Sequence, residues 1–153
     1  GDFGVEVRGR LKKLIKRPDK LAFGSIVNQG LPFYGGCVTY RFGVDCPGGD
    51  IRLTVPHYDG ALTEIFVDGV HAGEIIFPPY ELELKELSAG RHEIEVKLYT
   101  NRRNAFGTVH LYDKKCHCIG PDAWRTSGCQ WSYEYVLRNV GVESAPVIYS
   151  LKK

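Results

Sequence analysis

The stretch Leu62-Thr63-Glu64-Ile65-Phe66-Val67-Asp68-Gly69-Val70-His71-Ala72-Gly73-Glu74-Ile75 holds two short runs joined by Asp-Gly. A two-residue hairpin of type I′ needs a positive φ at its centre, which Gly adopts without steric penalty. Ile65-Phe66-Val67 and the run after Gly69 are therefore predicted to pair as antiparallel neighbours. The same period-two pattern extends in both directions. Upstream, Val38, Tyr40, Phe42 and Val44 alternate with Cys37, Thr39 and Arg41, and Ile51, Leu53 and Val55 alternate with Arg52 and Thr54. Downstream, Ile94, Val96 and Leu98 alternate with Glu93, Glu95 and Lys97. Successive side chains of a strand point to opposite faces, so each run has one face for a core and one for water.

Strands are predicted over 62–67, 70–76, 80–87, 131–138 and 146–151, separated by Gly, Pro or Asp clusters. About eight short strands at this spacing predict an all-β fold, an antiparallel β-sandwich or jelly roll. Helix is nearly absent. In Arg10 to Lys16, Leu11, Leu14 and Ile15 fit one helical turn, but Pro18 stops it early, so an irregular strand is expected there. No repeat, low-complexity tract or shift in composition interrupts the chain, and residues 1–153 are expected to form a single β-sandwich domain.

Composition narrows the function. With 153 residues, 43% apolar and 25% charged, the chain can bury a core of ordinary size. Twenty basic and eighteen acidic residues leave a formal charge of +2 without a long single-sign block, so no nucleic acid partner is expected. No apolar run approaches the roughly 18 to 20 residues of a membrane span, and Gly1-Asp2-Phe3-Gly4 lacks the basic and apolar regions of a secretion signal; no membrane partner is expected. The chain contains no Met, which suggests a piece of a longer protein. Five cysteines are an odd count, and Cys116 and Cys118 are too close to pair with each other comfortably. At least one thiol left over leans toward a reducing, cytoplasmic compartment.

Alternate loops of consecutive antiparallel strands fall at opposite ends of a sandwich. Residues 29–35, 56–61, 75–79 and 101–127 are thus expected to share one rim, and 43–49, 68–69 and 88–90 the other. The first rim is chemically richer, with Phe33, Tyr34, His57, Tyr58, Phe77, Arg102, Arg103, Asn104, His110 and Trp124.

Several of these segments look familiar. Gly30-Leu31-Pro32-Phe33-Tyr34-Gly35-Gly36 leading into Val38-Thr39-Tyr40 resembles the entry strand of accessory β-sandwiches of bacterial glycoside hydrolases. Val67-Asp68-Gly69-Val70-His71-Ala72-Gly73, followed by a Pro-containing link and Ala89-Gly90-Arg91-His92-Glu93-Ile94-Glu95-Val96, is similar to the galactose-binding-like jelly roll. Asn104-Ala105-Phe106-Gly107 to His110, then Gly120-Pro121-Asp122-Ala123-Trp124-Arg125, resembles a loop of the same family. The resemblance spans most of residues 1–151. It implies a noncatalytic carbohydrate-binding or accessory module of a bacterial glycoside hydrolase, with carbohydrate and the parent's catalytic module as partners. The alternative within the same resemblance is a purely structural or interaction domain that braces the catalytic module and holds no ligand. Lys114-Lys115-Cys116-His117-Cys118 departs from the pattern.

Sugar recognition needs flat aromatic faces for the C–H side of a pyranose and planar polar groups for its hydroxyls. Trp124, beside Asp122 and Arg125 in a Gly/Pro loop, is the leading candidate, with Tyr34, Tyr58, Arg103 and Asn104 as neighbours. Trp124 could instead pack down and close the end of the sandwich. His110 could bond a ligand hydroxyl or hold the loop through a backbone carbonyl, and the second role is favoured. Trp131, with Tyr133 and Tyr135, is assigned to the core or to a subdomain contact. His57, His71 and His92 read as ordinary surface or half-buried positions.

Cys116-His117-Cys118, with Cys129 and His110, offers soft ligands, but the spacing does not match the two ligand pairs of a structural zinc site; no metal or other cofactor is expected. Glycosidase chemistry needs two carboxylates facing each other across a cleft. Glu81, Glu83 and Glu86, like Glu93 and Glu95, alternate with apolar positions as a solvated face does. No Gly-x-Ser-x-Gly elbow, phosphate loop or His-x-His pair is present, so no catalytic residues are expected.

Overall fold

The computed structural model describes residues 2–112 and 120–151. In chain order the elements are β1 (Phe3–Arg8), β2 (Leu11–Lys16), β3 (Cys37–Cys46), β4 (Gly49–Thr54), β5 (Tyr58–Asp59), β6 (Leu62–Val67), β7 (Val70–Ile75), β8 (Glu81–Leu87), β9 (Gly90–Tyr99), α1 (Arg103–Phe106), β10 (Gly141–Val142) and β11 (Val147–Ser150). Short 3-10 turns occupy Ile26–Gln29 and Pro121–Ala123. The chain divides into two compact units: Gly1–Leu21, Ser25–Gly35 and Asn101–Asn139 in the first, and Ala22–Gly24, Gly36–Thr100 and Val140–Lys153 in the second.

The second unit is an antiparallel β-sandwich. One sheet runs β3-β9-β6-β7 and the other β11-β4-β8. Their registers turn the alternation of the sequence into rows that cross the strands. Tyr40 faces Val96, which faces Ile65, and the neighbouring row is Val38, Leu98 and Thr63. All six are buried, and Ile51, Leu53 and Leu84 of the other sheet are buried with them. The opposite faces are polar: Arg41 pairs with Glu95, Lys97 with Glu64, and Arg52 with Glu83 and Glu81. The Asp68-Gly69 hairpin forms as expected, with Val67 opposite Val70 and φ of 51° and 79° at its two central residues.

Within this unit 56–61 and 75–79 share one end and 43–49, 68–69 and 88–90 the other, whereas 29–35 and 101–127, expected on the same rim as the first pair, belong to the other unit. At one end Tyr58 donates its hydroxyl to the carbonyls of Ile75 (3.0 Å) and Ile76 (3.2 Å), joining 56–61 to 75–79. At the other, Asp68 bonds His92, and a Cβ on Gly48 would come within 3.2 Å of the Ala89 backbone, joining 43–49, 68–69 and 88–90.

In the first unit two expectations are corrected. Leu11–Lys16 is a regular strand, paired along its whole length with β1. The turn between them places Gly9 at φ 57°, the conformation that a two-residue turn with Gly in its first central position requires. Residues 131–138 form no strand; a single bridge, Leu111 to Trp131, marks the place. The backbone groups of this segment go to scattered partners rather than to one ladder. The Ser132 hydroxyl accepts from the Glu134 N–H, Val136 donates to the Val109 carbonyl, and the Arg138 N–H goes to the Asn104 side chain. Side-chain acceptors of this kind compete with sheet pairing.

Candidate functional site

The expected site residues fall in both units. Tyr34, Arg103, Asn104, His110, Trp124 and Arg125 belong to the first and Tyr58 to the second. Within the first unit they serve different ends. Asn104 is buried, and its side-chain amide spans the Arg138 backbone: Nδ2 donates to the carbonyl at 2.8 Å and Oδ1 accepts the N–H at 3.0 Å. Its hydrogen bonds thus fasten α1 to residue 138. His110 donates from Nδ1 to the Ser132 carbonyl at 2.9 Å and stacks on Trp131, with the Tyr135 ring 4.7 Å away. Arg103 opens α1, its N–H bonded to the Asn101 side chain.

Trp124 and Tyr34 are placed differently. Trp124 follows the Pro121–Ala123 turn, donates its N–H to the Pro121 carbonyl and remains 55% exposed, more than a side chain sealing a core leaves open. Tyr34 is 40% exposed, and Arg125 is exposed. All three expected positions are thus exposed in the first unit. Cys116, His117 and Cys118 lie outside the described residues, and among the described residues no group of three His, Cys, Asp or Glu could hold a metal ion.

A second polar feature escaped the sequence reading. His92, expected at the surface or half-buried, is buried. Its Nδ1 lies 2.6 Å from the Asp68 carboxylate, and its Nε2 lies 3.0 Å from the Ser88 carbonyl and 3.3 Å from the Ser88 hydroxyl. The residue types match a nucleophilic triad, but the chemistry does not. A general base needs an unprotonated ring nitrogen turned to the hydroxyl, whereas here both nitrogens have acceptors within reach, which favours the imidazolium form. The Asp68 carboxylate and then the Ser88 carbonyl push the His92 pKa up, and His92 with the Glu93 N–H holds Asp68 below the usual carboxylate range. The group is a clasp across one end of the sandwich.

The first unit also contains a cavity of about 690 Å³. Its wall comes from residues 5–9, Ile15, 27–30, Pro32, and Glu134, Tyr135, Leu137 and Asn139. None of the seven expected site residues lines it. The segments are far apart in the chain, so neither period nor motif could have marked them as neighbours.

No protein-family model matches the chain, and no curated protein does. Solved structures do. A GH2 beta-galacturonidase from Eisenbergiella tayi superposes with a TM-score of 0.51 at 19% identity, over 98% of this chain and 23% of its own. A rhamnosidase from Novosphingobium sp. PP1Y gives 0.57 at 16% identity, over 95% of this chain and 14% of its own. At these identities the likeness is one of fold: an antiparallel β-sandwich of a kind that glycoside hydrolases carry. The chain spans less than a quarter of the length of either neighbour.

Proposed function

We propose that the chain is a noncatalytic accessory module of a bacterial glycoside hydrolase, of the galactose-binding-like jelly-roll type, that contacts carbohydrate through the exposed loop carrying Trp124. The observation that carries this reading is the fold likeness itself, which takes in nearly all of this chain but a small part of two glycosidases. Trp124 and Tyr34, both well exposed in the first unit, add the aromatic surface that sugar binding uses, with Arg125 as a polar neighbour. The noncatalytic part is supported by the carboxylates of the sheet faces. Glu64, Glu81, Glu83 and Glu95 are each held by a Lys or Arg rather than opposed across a cleft.

The test is a titration of the chain with mono- and oligosaccharides, read by Trp fluorescence. A saturable response that Trp124→Ala reduces is expected. No response, or one that Trp124→Ala leaves unchanged, ends the proposal for this loop. The bracing alternative has its own support in Ile76 and Phe77, exposed side by side at 43% and 77%, a small apolar surface suited to docking on a catalytic module.

A further inference from the structure

The groove of the first unit has the size and wall chemistry of a second ligand site. Its volume of about 690 Å³ lies within the roughly 300 to 1,000 Å³ of pockets that enclose small organic ligands. Val5, Val7, Val27 and Leu137 give it apolar wall, and Asn28, Asn139 and Glu134 bring amide and carboxylate groups to it from two remote segments. That mixture suits a molecule with C–H faces and many hydroxyls, because amides donate and accept while a carboxylate accepts from two hydroxyls at once.

Charge decides which polyol. Arg8 is already bound to Glu6, its Nε 2.8 Å from the carboxylate. Lys12 of the paired strand sits over the Tyr135 ring, 4.9 Å from its centroid. Glu134 has no ion-pair partner among the described residues, and its Oε1 lies 3.1 Å from where a Cβ on Gly9 would stand. Among the residues of the wall itself the charge without an opposite partner is therefore that of Glu134, which disfavours a carboxylate-bearing sugar at that point, while the Lys12 ammonium stands beside it on the Tyr135 ring. Tyr135 supplies no stacking platform, since Lys12, Phe33 and His110 already pack against its ring.

We propose that this groove is a carbohydrate site separate from the Trp124 loop, one that takes a neutral oligosaccharide through Glu134, Asn28 and Asn139. It rests on the reading of the chain as a module that meets carbohydrate. The test is calorimetry and saturation-transfer NMR on the full chain, with lactose, cellobiose, xylobiose, rhamnose and galacturonate as probes. Binding of a neutral sugar is expected to survive Trp124→Ala and to weaken about tenfold or more in Glu134→Ala, the scale for losing a hydrogen bond to a charged group. Asn28→Ala, on another segment, should weaken it in the same direction. A neutral sugar whose binding Trp124→Ala abolishes, and which neither groove variant affects, overturns the groove and leaves the loop reading standing. Galacturonate bound more tightly than every neutral probe overturns the charge assignment, and silence from all five overturns both sites.

Discussion

His92 and Asp68 meet at 2.6 Å across one end of the sandwich, although 24 positions separate them in the chain. Register makes the contact. Val67 lies opposite Ile94 in the β6-β9 pair, which sets the β6-β7 turn beside the start of β9. The Asp68 N–H donates to the Glu93 carbonyl at 2.9 Å, and its carboxylate accepts the Glu93 N–H at 2.8 Å. Asp68 thus caps the β9 edge as it binds the imidazole, and the left-handed conformation of the turn aims it there.

This contact should make the stability of the fold depend on pH. The folded pKa of His92 is raised, so its contribution is complete below the unfolded value of about 6.5 and is lost as pH rises through the folded value. The folded pKa of Asp68 is lowered, so its contribution is present above about 3.9 and is lost as pH falls through the folded value. Stability from the clasp is greatest between roughly pH 4 and 6.5. Urea midpoints measured at pH 5.5 and 8.5 should show a loss at the higher pH that His92→Gln and Asp68→Asn both diminish. Equal losses in wild type and variants would refute the assignment.

Two glycines separate space from backbone strain. A Cβ on Gly60 would lie 2.6 Å from Leu98 Cδ1 and 2.8 Å from the Tyr99 carbonyl, while one on Gly69 would meet nothing within 4 Å. Gly69, however, sits at φ 79°. Gly60→Ala should therefore destabilise by overpacking, about 1–3 kcal/mol. Gly69→Ala should act through conformation alone, about 1–2 kcal/mol. Adding Leu98→Ala opens room beside Gly60 and should reduce the further effect of Gly60→Ala, but not that of Gly69→Ala. Strict additivity in both double variants would show that crowding against the Leu98 side chain is not what matters.

The sandwich was legible where one strand carries its own evidence. Ile94, Val96 and Leu98 announce a face by alternation, and Asp68-Gly69 announces a turn by the φ it needs. The segment 131–138 alternates just as well, with Trp131, Tyr133 and Tyr135, yet forms no strand: its N–H groups are divided between the Ser132 and Asn104 side chains and the His110 and Val109 carbonyls. Periodicity reports a side-chain pattern and is blind to such competitors. The clasp and the groove were hidden for a different reason: His92 finds Asp68 through register, and Glu134 finds Gly9 through a tertiary approach, and neither relation leaves a local trace.

The thiols should differ in reactivity. Cys46 is buried, and burial, then the Asp45 and Asp68 charges, push its pKa up, which depletes the reactive thiolate. Cys37 and Cys129 are exposed. Brief alkylation with iodoacetamide at pH 8, read by peptide mass spectrometry, should modify Cys37 and Cys129 first, with Cys46 labelled about tenfold less. Urea should remove the difference. Comparable labelling of Cys46 and Cys37 in the native protein would contradict the burial of Cys46.

Asn104 gives the sharpest separation of scaffold from ligand contact. Its amide satisfies both backbone groups of Arg138, and it is 4% exposed. Removing it leaves an N–H and a carbonyl without these partners, a loss of about 1–3 kcal/mol for each buried group left unsatisfied. Asn104→Ala should therefore lower the urea midpoint clearly, and Asn104→Asp should lower it too, since a carboxylate keeps the acceptor but cannot donate to the carbonyl. Where either variant remains folded, sugar affinity measured below its transition should stay within about twofold of wild type, a change worth less than 0.5 kcal/mol or so. A variant that keeps its midpoint but loses affinity would return Asn104 to the ligand's own contacts and make its bonds to Arg138 incidental.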